Sequence, residues 1–247
     1  MIRSLCLAVA LAVATPVLAK DQKPLEQSMS TAQMQAIGRL DIGSTGFCTA
    51  TLVSADLVLT AAHCLYDRNT DRRLDVSEFR FNAGLRRGSA VTTMRIKQAA
   101  IHPKYDRSRK SDLSNMRFDV ALLRLSEPVN LYDVSSLGVS TPQLGRDVGV
   151  VSYARNRADT ALTESSCGMS ARPEGVFVTT CQAGFGTSGA PVVQIQQGHP
   201  RVVSVVSAMA KANGQPVSLA VGGFSLNDKT IVLFGCVYRQ QTNNNHS

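Results

Sequence analysis

The chain has 247 residues, 44% hydrophobic and 18% charged, with 18 Gly and 9 Pro, which excludes a disordered or collagen-like polymer and leaves room for one large domain or two small ones. Its formal charge of +8 rests partly on basic clusters at Arg72-Arg73, Arg86-Arg87 and Arg107 to Lys110. No aromatic residues interleave these clusters as base-stacking platforms would, so they read as solvated surface and no nucleic-acid partner is expected.

Residues 1–19 carry Arg3, an apolar run from Leu5 to Val13, and then Pro16-Val17-Leu18-Ala19, the pattern of an export signal cleaved near Ala19. A secreted or periplasmic location follows as an expectation. No later stretch approaches the ~18 apolar residues of a transmembrane helix, so stable membrane insertion is not expected. Export also favours disulfides, and the five cysteines left after cleavage are an odd number. Residues 20–35 are polar, contain Pro24 and show no sustained period. They read as a flexible leader or short propeptide.

From there on, short β-branched or apolar runs are separated by Gly, Asn, Asp or Pro. Runs 49–53, 57–60, 79–81, 91–96 and 120–125 fall in the first half, and 148–153, 175–180, 191–194, 202–206 and 230–238 in the second. The segment 126–145 is weakly patterned and reads as a crossing between halves. Long helical periodicity is absent. The fold class is therefore all-β, as barrel or sandwich, with units at 36–130 and 131–240 and a polar tail at 241–247.

Three local patterns bear on chemistry. In Leu57-Val58-Leu59-Thr60-Ala61-Ala62-His63-Cys64, a strand runs into small residues that leave room around an imidazole. Taken alone, His63 is equally a core residue or half of a metal site, although no second His or Cys stands at zinc spacing. In Phe118-Asp119-Val120-Ala121-Leu122-Leu123, Asp119 opens an apolar strand, where a carboxylate is costly unless a partner accepts it. In Gly184-Phe185-Gly186-Thr187-Ser188-Gly189-Ala190-Pro191, glycines on both sides permit a tight turn whose N–H groups point inward.

Together and in this order, the three patterns resemble the trypsin-like serine peptidases over nearly the whole chain from Gly38 to Ala220. The resemblance implies two antiparallel six-stranded-type β-barrels with the active site in the cleft between them. His63 would be the general base, Asp119 the acid that orients it, Ser188 the nucleophile, and the Gly186 and Ser188 N–H groups the oxyanion donors. His102, in His102-Pro103-Lys104-Tyr105, matches a structural histidine of the family. Disulfides Cys48–Cys64 and Cys167–Cys181 are implied, which leaves Cys236 as a buried thiol.

Alignment places the substrate pocket at Gln182, Ser207 and Met209. With no carboxylate between Cys181 and Ser188, it implies neutral residues before the cut, or Glu. The family's G-D-S-G-G-P stands here as Gly186-Thr187-Ser188-Gly189-Ala190-Pro191. That departure, with the closeness of Cys167 and Cys181 to the nucleophile, resembles the bacterial branch that includes the glutamyl endopeptidases. The expected function is a secreted, monomeric serine endopeptidase acting on protein or peptide substrates, with no cofactor and no metal. The alternatives are an esterase using the same triad, or a non-catalytic homologue that binds anionic surfaces.

Overall fold

The computed structural model describes residues 24–43, 46–222, 226–227 and 230–231. Two short helices, α1 (Leu25–Ser28) and α2 (Thr31–Gln35), come first. Strands β1 (Ile37–Ile42), β2 (Gly46–Ser54), β3 (Leu57–Thr60), β4 (Phe79–Ala83) and β5 (Thr92–Ile101) follow. After a further short helix, α3 (Leu113–Met116), comes β6 (Ala121–Leu125). The six strands close an antiparallel barrel in the order β1-β2-β3-β6-β5-β4. Leu40, Leu52, Phe79, Phe81, Leu123 and Leu125 fill its interior with no measurable exposure. Arg80, between the two phenylalanines, is only half-buried, as the two-residue period of a strand requires.

The second unit comprises β7 (Gly138–Val139), β8 (Val148–Ala154), β9 (Arg157–Cys167), β10 (Met169–Ala171), β11 (Val176–Thr179), β12 (Pro191–Gln196), β13 (His199–Ala212) and β14 (Gln215–Val221). Its hydrogen-bonded order is β10-β11-β14-β13-β12-β8-β9, with β7 parallel to β13. The two edge strands, β9 and β10, are joined by Gly168 alone. One residue of chain thus links the two ends of the sheet, an arrangement consistent with a second barrel. The Cys167–Cys181 disulfide lies at this seam.

The segment expected to cross between the halves does so in packed form. Val134 and Leu137 are buried, and the Leu137 N–H donates to the Leu52 carbonyl at 2.9 Å. Residues 24–35, within the segment read as a flexible leader or short propeptide, carry α1 and α2. Ser30 and Gln33 form a reciprocal capping box on α2, which satisfies N–H groups that a helix start leaves open. Leu25 and Met29 are buried, and the Leu25 N–H donates to Ser165 Oγ of β9 at 3.0 Å. Two apolar residues in a polar stretch suffice to dock it, too few to leave a periodic pattern.

Of the strand expected at 230–238, only β16 (Thr230–Ile231) is described, paired with β15 (Leu226–Asn227). Cys236, the signal segment and the tail lie outside the described residues. Among the described residues, no helix is long and apolar enough to cross a membrane.

Candidate active site

β3 delivers the chain into a 3-10 turn, Ala62–Leu65, that carries His63. Ala61 and Ala62 are fully buried and leave the ring its space. The Cys48–Cys64 disulfide ties this turn to β2. Asp119 stands between α3 and β6, with its N–H bonded to the Met116 carbonyl at 2.8 Å. Its side chain meets His63 twice: Nδ1 lies 2.6 Å from Oδ2, and the backbone N–H donates to Oδ1 at 2.8 Å. The Ser207 hydroxyl of β13 donates to Oδ2 as well.

Asp119 is 3% exposed, so one donor would not sustain its charge. Burial pushes its carboxyl pKa up. The neighbouring His63, the three hydrogen bonds and above all the charge it offers outweigh that push and hold the pKa below the ordinary value of 3.8. An ionised carboxylate only accepts, so His63 Nδ1 donates in this bond, and it is the neutral ring of that tautomer that offers a lone pair on Nε2.

The Gly184-to-Pro191 loop is held to the first barrel by Thr49 of β2, which is fully buried. The Thr49 N–H donates to the Ser188 carbonyl at 2.9 Å. Its hydroxyl donates to the Gly186 carbonyl at 3.0 Å and accepts from the Tyr153 N–H at 3.0 Å. Its carbonyl accepts from the Thr60 hydroxyl at 2.9 Å. One residue thus joins the nucleophile loop to the strand next to Cys48. Tyr153 is buried, its phenol donating to the Leu85 carbonyl at 2.9 Å, and burial pushes its pKa up.

Two glycines in this loop have no substitute. Gly186 has φ +101°, and a Cβ there would lie 2.4 Å from the Phe47 ring. Gly189 has φ +80°, and a Cβ would lie 2.2 Å from Thr60 Oγ1. Thr187, 1% exposed, accepts the Gly184 N–H on its hydroxyl and returns its own N–H to the Gly184 carbonyl, both at 3.1 Å. The N–H groups of Thr187, Gly189 and Ala190 are all bonded. Those of Gly186 and Ser188 donate to no acceptor among the described residues.

Ser188 is half-buried. Among the described hydrogen bonds, none links its hydroxyl to His63, a bond that often tightens only when substrate arrives. Of the expected pocket residues, Met209 is 49% exposed on β13, and Gln182 is exposed, with its N–H on Glu164 Oε2 at 2.7 Å. The Ser207 hydroxyl, for its part, is committed to Asp119. A buried carboxylate draws the nearest donor, and β13 supplies it. His102 stacks on Phe118 with ring centroids 4.7 Å apart, and burial followed by the nearby Lys104 lowers its pKa.

The roles of Thr49 and Tyr153, and that of Ser207 toward Asp119, were not legible in the sequence. Thr49's position directly after Cys48 is the only signal it carries. Among the described residues, two side-chain groups have the proximity for a metal, Cys48 with His63 and Cys64, and Glu164 with Cys167 and Cys181. In both, the sulfurs are joined in disulfides and are not thiolate ligands.

The family model for trypsin matches residues 26–228. Venom serine protease 34 of Apis mellifera is 36% identical over 87 residues, 35% of this chain and 21% of that protein. Vitamin K-dependent protein C of Rattus norvegicus is 36% identical over 84 residues, 34% of this chain and 16% of that protein. Trypsin 5G1 of Aedes aegypti is 31% identical over 102 residues, 41% of this chain and 34% of that protein. The aligned stretches thus span between a sixth and a third of these relatives. They are insect and mammalian proteins and lend no support to a special likeness to the bacterial glutamyl endopeptidases. With a family match across most of its length, and a closed barrel and a second sheet consistent with the two-barrel fold, the chain belongs to the trypsin family.

Proposed function

We propose that this chain is a secreted or periplasmic serine endopeptidase working through His63, Asp119 and Ser188. The observation that carries the reading is the pair of N–H groups, on Gly186 and Ser188, left without acceptors among the described residues in a loop where the amides of Gly184, Thr187, Gly189 and Ala190 are bonded. Unspent donors flanking a serine are what a developing oxyanion needs, and losing one such donor typically costs ~10²–10³ in turnover.

Ser188 Oγ attacks the scissile carbonyl as His63 Nε2 takes its proton. The carbonyl oxygen gains charge against the Gly186 and Ser188 amides. His63 then passes the proton to the departing amine, leaving an acyl-enzyme that water hydrolyses by the same route. Asp119 stays ionised throughout, holding the tautomer and stabilising the imidazolium.

The surface supports this reading over that of a polyanion binder, because much of the basic charge is spent. Arg107 and Lys110 pair with Asp71 at 2.6 and 2.9 Å, and Arg109 pairs with Asp112. Arg72 lies 3.5 Å from Glu78. Protein or peptide substrates, a monomeric state and no nucleic-acid partner belong to the proposal. So does a preference for neutral residues, or Glu, before the cut, with Gln182 and Met209 on the pocket wall. Digestion of a diverse peptide library, with sequencing of the products, tests it. Cleavage after neutral side chains is expected, while a strict Arg/Lys preference would overturn the pocket assignment.

A further inference from the structure

Two connected cavities open beside the loop. One, of about 430 Å³, lies between Phe47 and Phe185 and is lined by Gly186, Arg39, Arg68 and Arg155. The other, of about 190 Å³, shares Phe47, Arg68 and Arg155 with it and reaches His63. Neither is lined by Gln182, Ser207 or Met209. In the proposed reaction His63 hands its proton to the departing amine, so the chain beyond the scissile bond leaves past His63. The cavities therefore receive the substrate residues that follow the cut.

Their charge is unevenly spent. Arg39 is held by both oxygens of Asp41, at 2.5 and 3.1 Å, and Asp41 also accepts from Asn82 Nδ2 at 2.9 Å. Asp67 is taken up by its own turn, accepting the Asn69 and Thr70 N–H groups and the Thr70 hydroxyl. The Arg155 guanidinium stacks on Phe185, 4.9 Å from the ring centre, and faces no carboxylate among the described residues. Arg68 is exposed and likewise has no described ion pair. Three arginines and two aspartates line the two cavities. The uncommitted charge consists of two cations, and both carboxylates are occupied.

We propose that Arg68 and Arg155 form a leaving-side subsite that selects Asp or Glu among the first two residues after the scissile bond. The inference rests on the peptidase reading. Phe47 and Phe185 bracket the side chain's methylene groups, and stacking on Phe185 fixes the orientation of the planar Arg155 guanidinium for a two-point grip on a carboxylate.

The test uses wild-type enzyme and peptides with a fixed acyl side, carrying Glu, Ala or Lys at each of the two following positions. A few-fold gain per exposed charge pair leads to kcat/KM about tenfold higher for Glu than for Lys at low ionic strength. The ratio should shrink in about 1 M salt as screening sets in. The double variant R68E/R155E is expected to reverse the order. Partition of the acyl-enzyme between water and added Glu-amide or Lys-amide reads the same subsite without any substitution, and Glu-amide should be the better acceptor. Peptides cleaved with all three residues within twofold, or a Glu preference surviving in the double variant, would overturn the subsite and leave the peptidase reading standing. No cleavage of any peptide would overturn both.

Discussion

Replacing Thr49 by Val removes one hydroxyl at the junction of the barrels and keeps the β-branched shape that a strand favours. The hydroxyl donates to the Gly186 carbonyl and accepts from the Tyr153 N–H. Gly186 and Tyr153 are both buried, so water cannot readily replace it. At about 1–3 kcal/mol for each of the two buried groups left unpaired, the variant should lose about 2–6 kcal/mol of stability. Thr49's own N–H still holds the Ser188 carbonyl, so the serine stays near its place while the Gly186 carbonyl is released and the Gly186 N–H loses its fixed aim. Deleting an oxyanion donor outright costs ~10²–10³ in turnover, and a displaced donor costs less. We therefore expect kcat to fall about tenfold or more with KM within about twofold, measured on a peptide substrate well below the variant's melting temperature. Thr49→Ser keeps the hydroxyl and should restore most of kcat. A folded Thr49→Val with unchanged kcat, or a Thr49→Ser no better than Val, would refute the idea that this residue sets the oxyanion loop.

Asp119 sets an acid limit on stability. Its folded pKa lies below the ordinary 3.8, so its stabilisation is present above about pH 4 and is lost as pH falls through the folded value. Asp119→Asn should flatten the part of the acid-unfolding curve below pH 4, read by circular dichroism, while lowering kcat by several orders of magnitude. The neutral Thr187, satisfied within its own loop, removes the need for a new terminal ammonium beside the serine. A chain beginning at Pro24 should be active by active-site titration. One beginning at Ile37 should lose about 1.5–3 kcal/mol for each of Leu25 and Met29, with a lower melting temperature and no gain in activity. Activity that appeared only after trimming to Ile37 would show that the terminal amine has a partner.

What the sequence disclosed and what it hid differ in physical kind. The inward alternation of β4 and the apolar runs of β6, β8 and β12 mark a barrel strand by strand, because side chains facing a core must be apolar. β9 left no such mark. Its eleven residues include Arg157, Asp159 and Glu164, and most are half-buried. Strand status there comes from pairing with the wholly buried β8, a tertiary fact. The helices before β1 were hidden for a similar reason, since a capping box and two docked side chains outweigh a polar composition. At the site, His63, Asp119 and Ser188 were legible because each sits in a distinctive local run. Thr49 and Ser207 act across 137 and 88 residues of chain, and no local pattern encodes a partner at that distance. Arg68 and Arg155 resemble any other surface arginine until the fold puts them on one cavity.

The central claim is that Ser188 is a nucleophile activated by His63. An organophosphate applied to the folded protein, followed by peptide mapping, tests it most directly. A single covalent adduct on Ser188 is expected, absent from Ser188→Ala and strongly slowed in His63→Ala, with peptidase activity disappearing in proportion to labelling. Labelling at another serine, or a folded Ser188→Ala that still cleaves peptides at the wild-type rate, would contradict it.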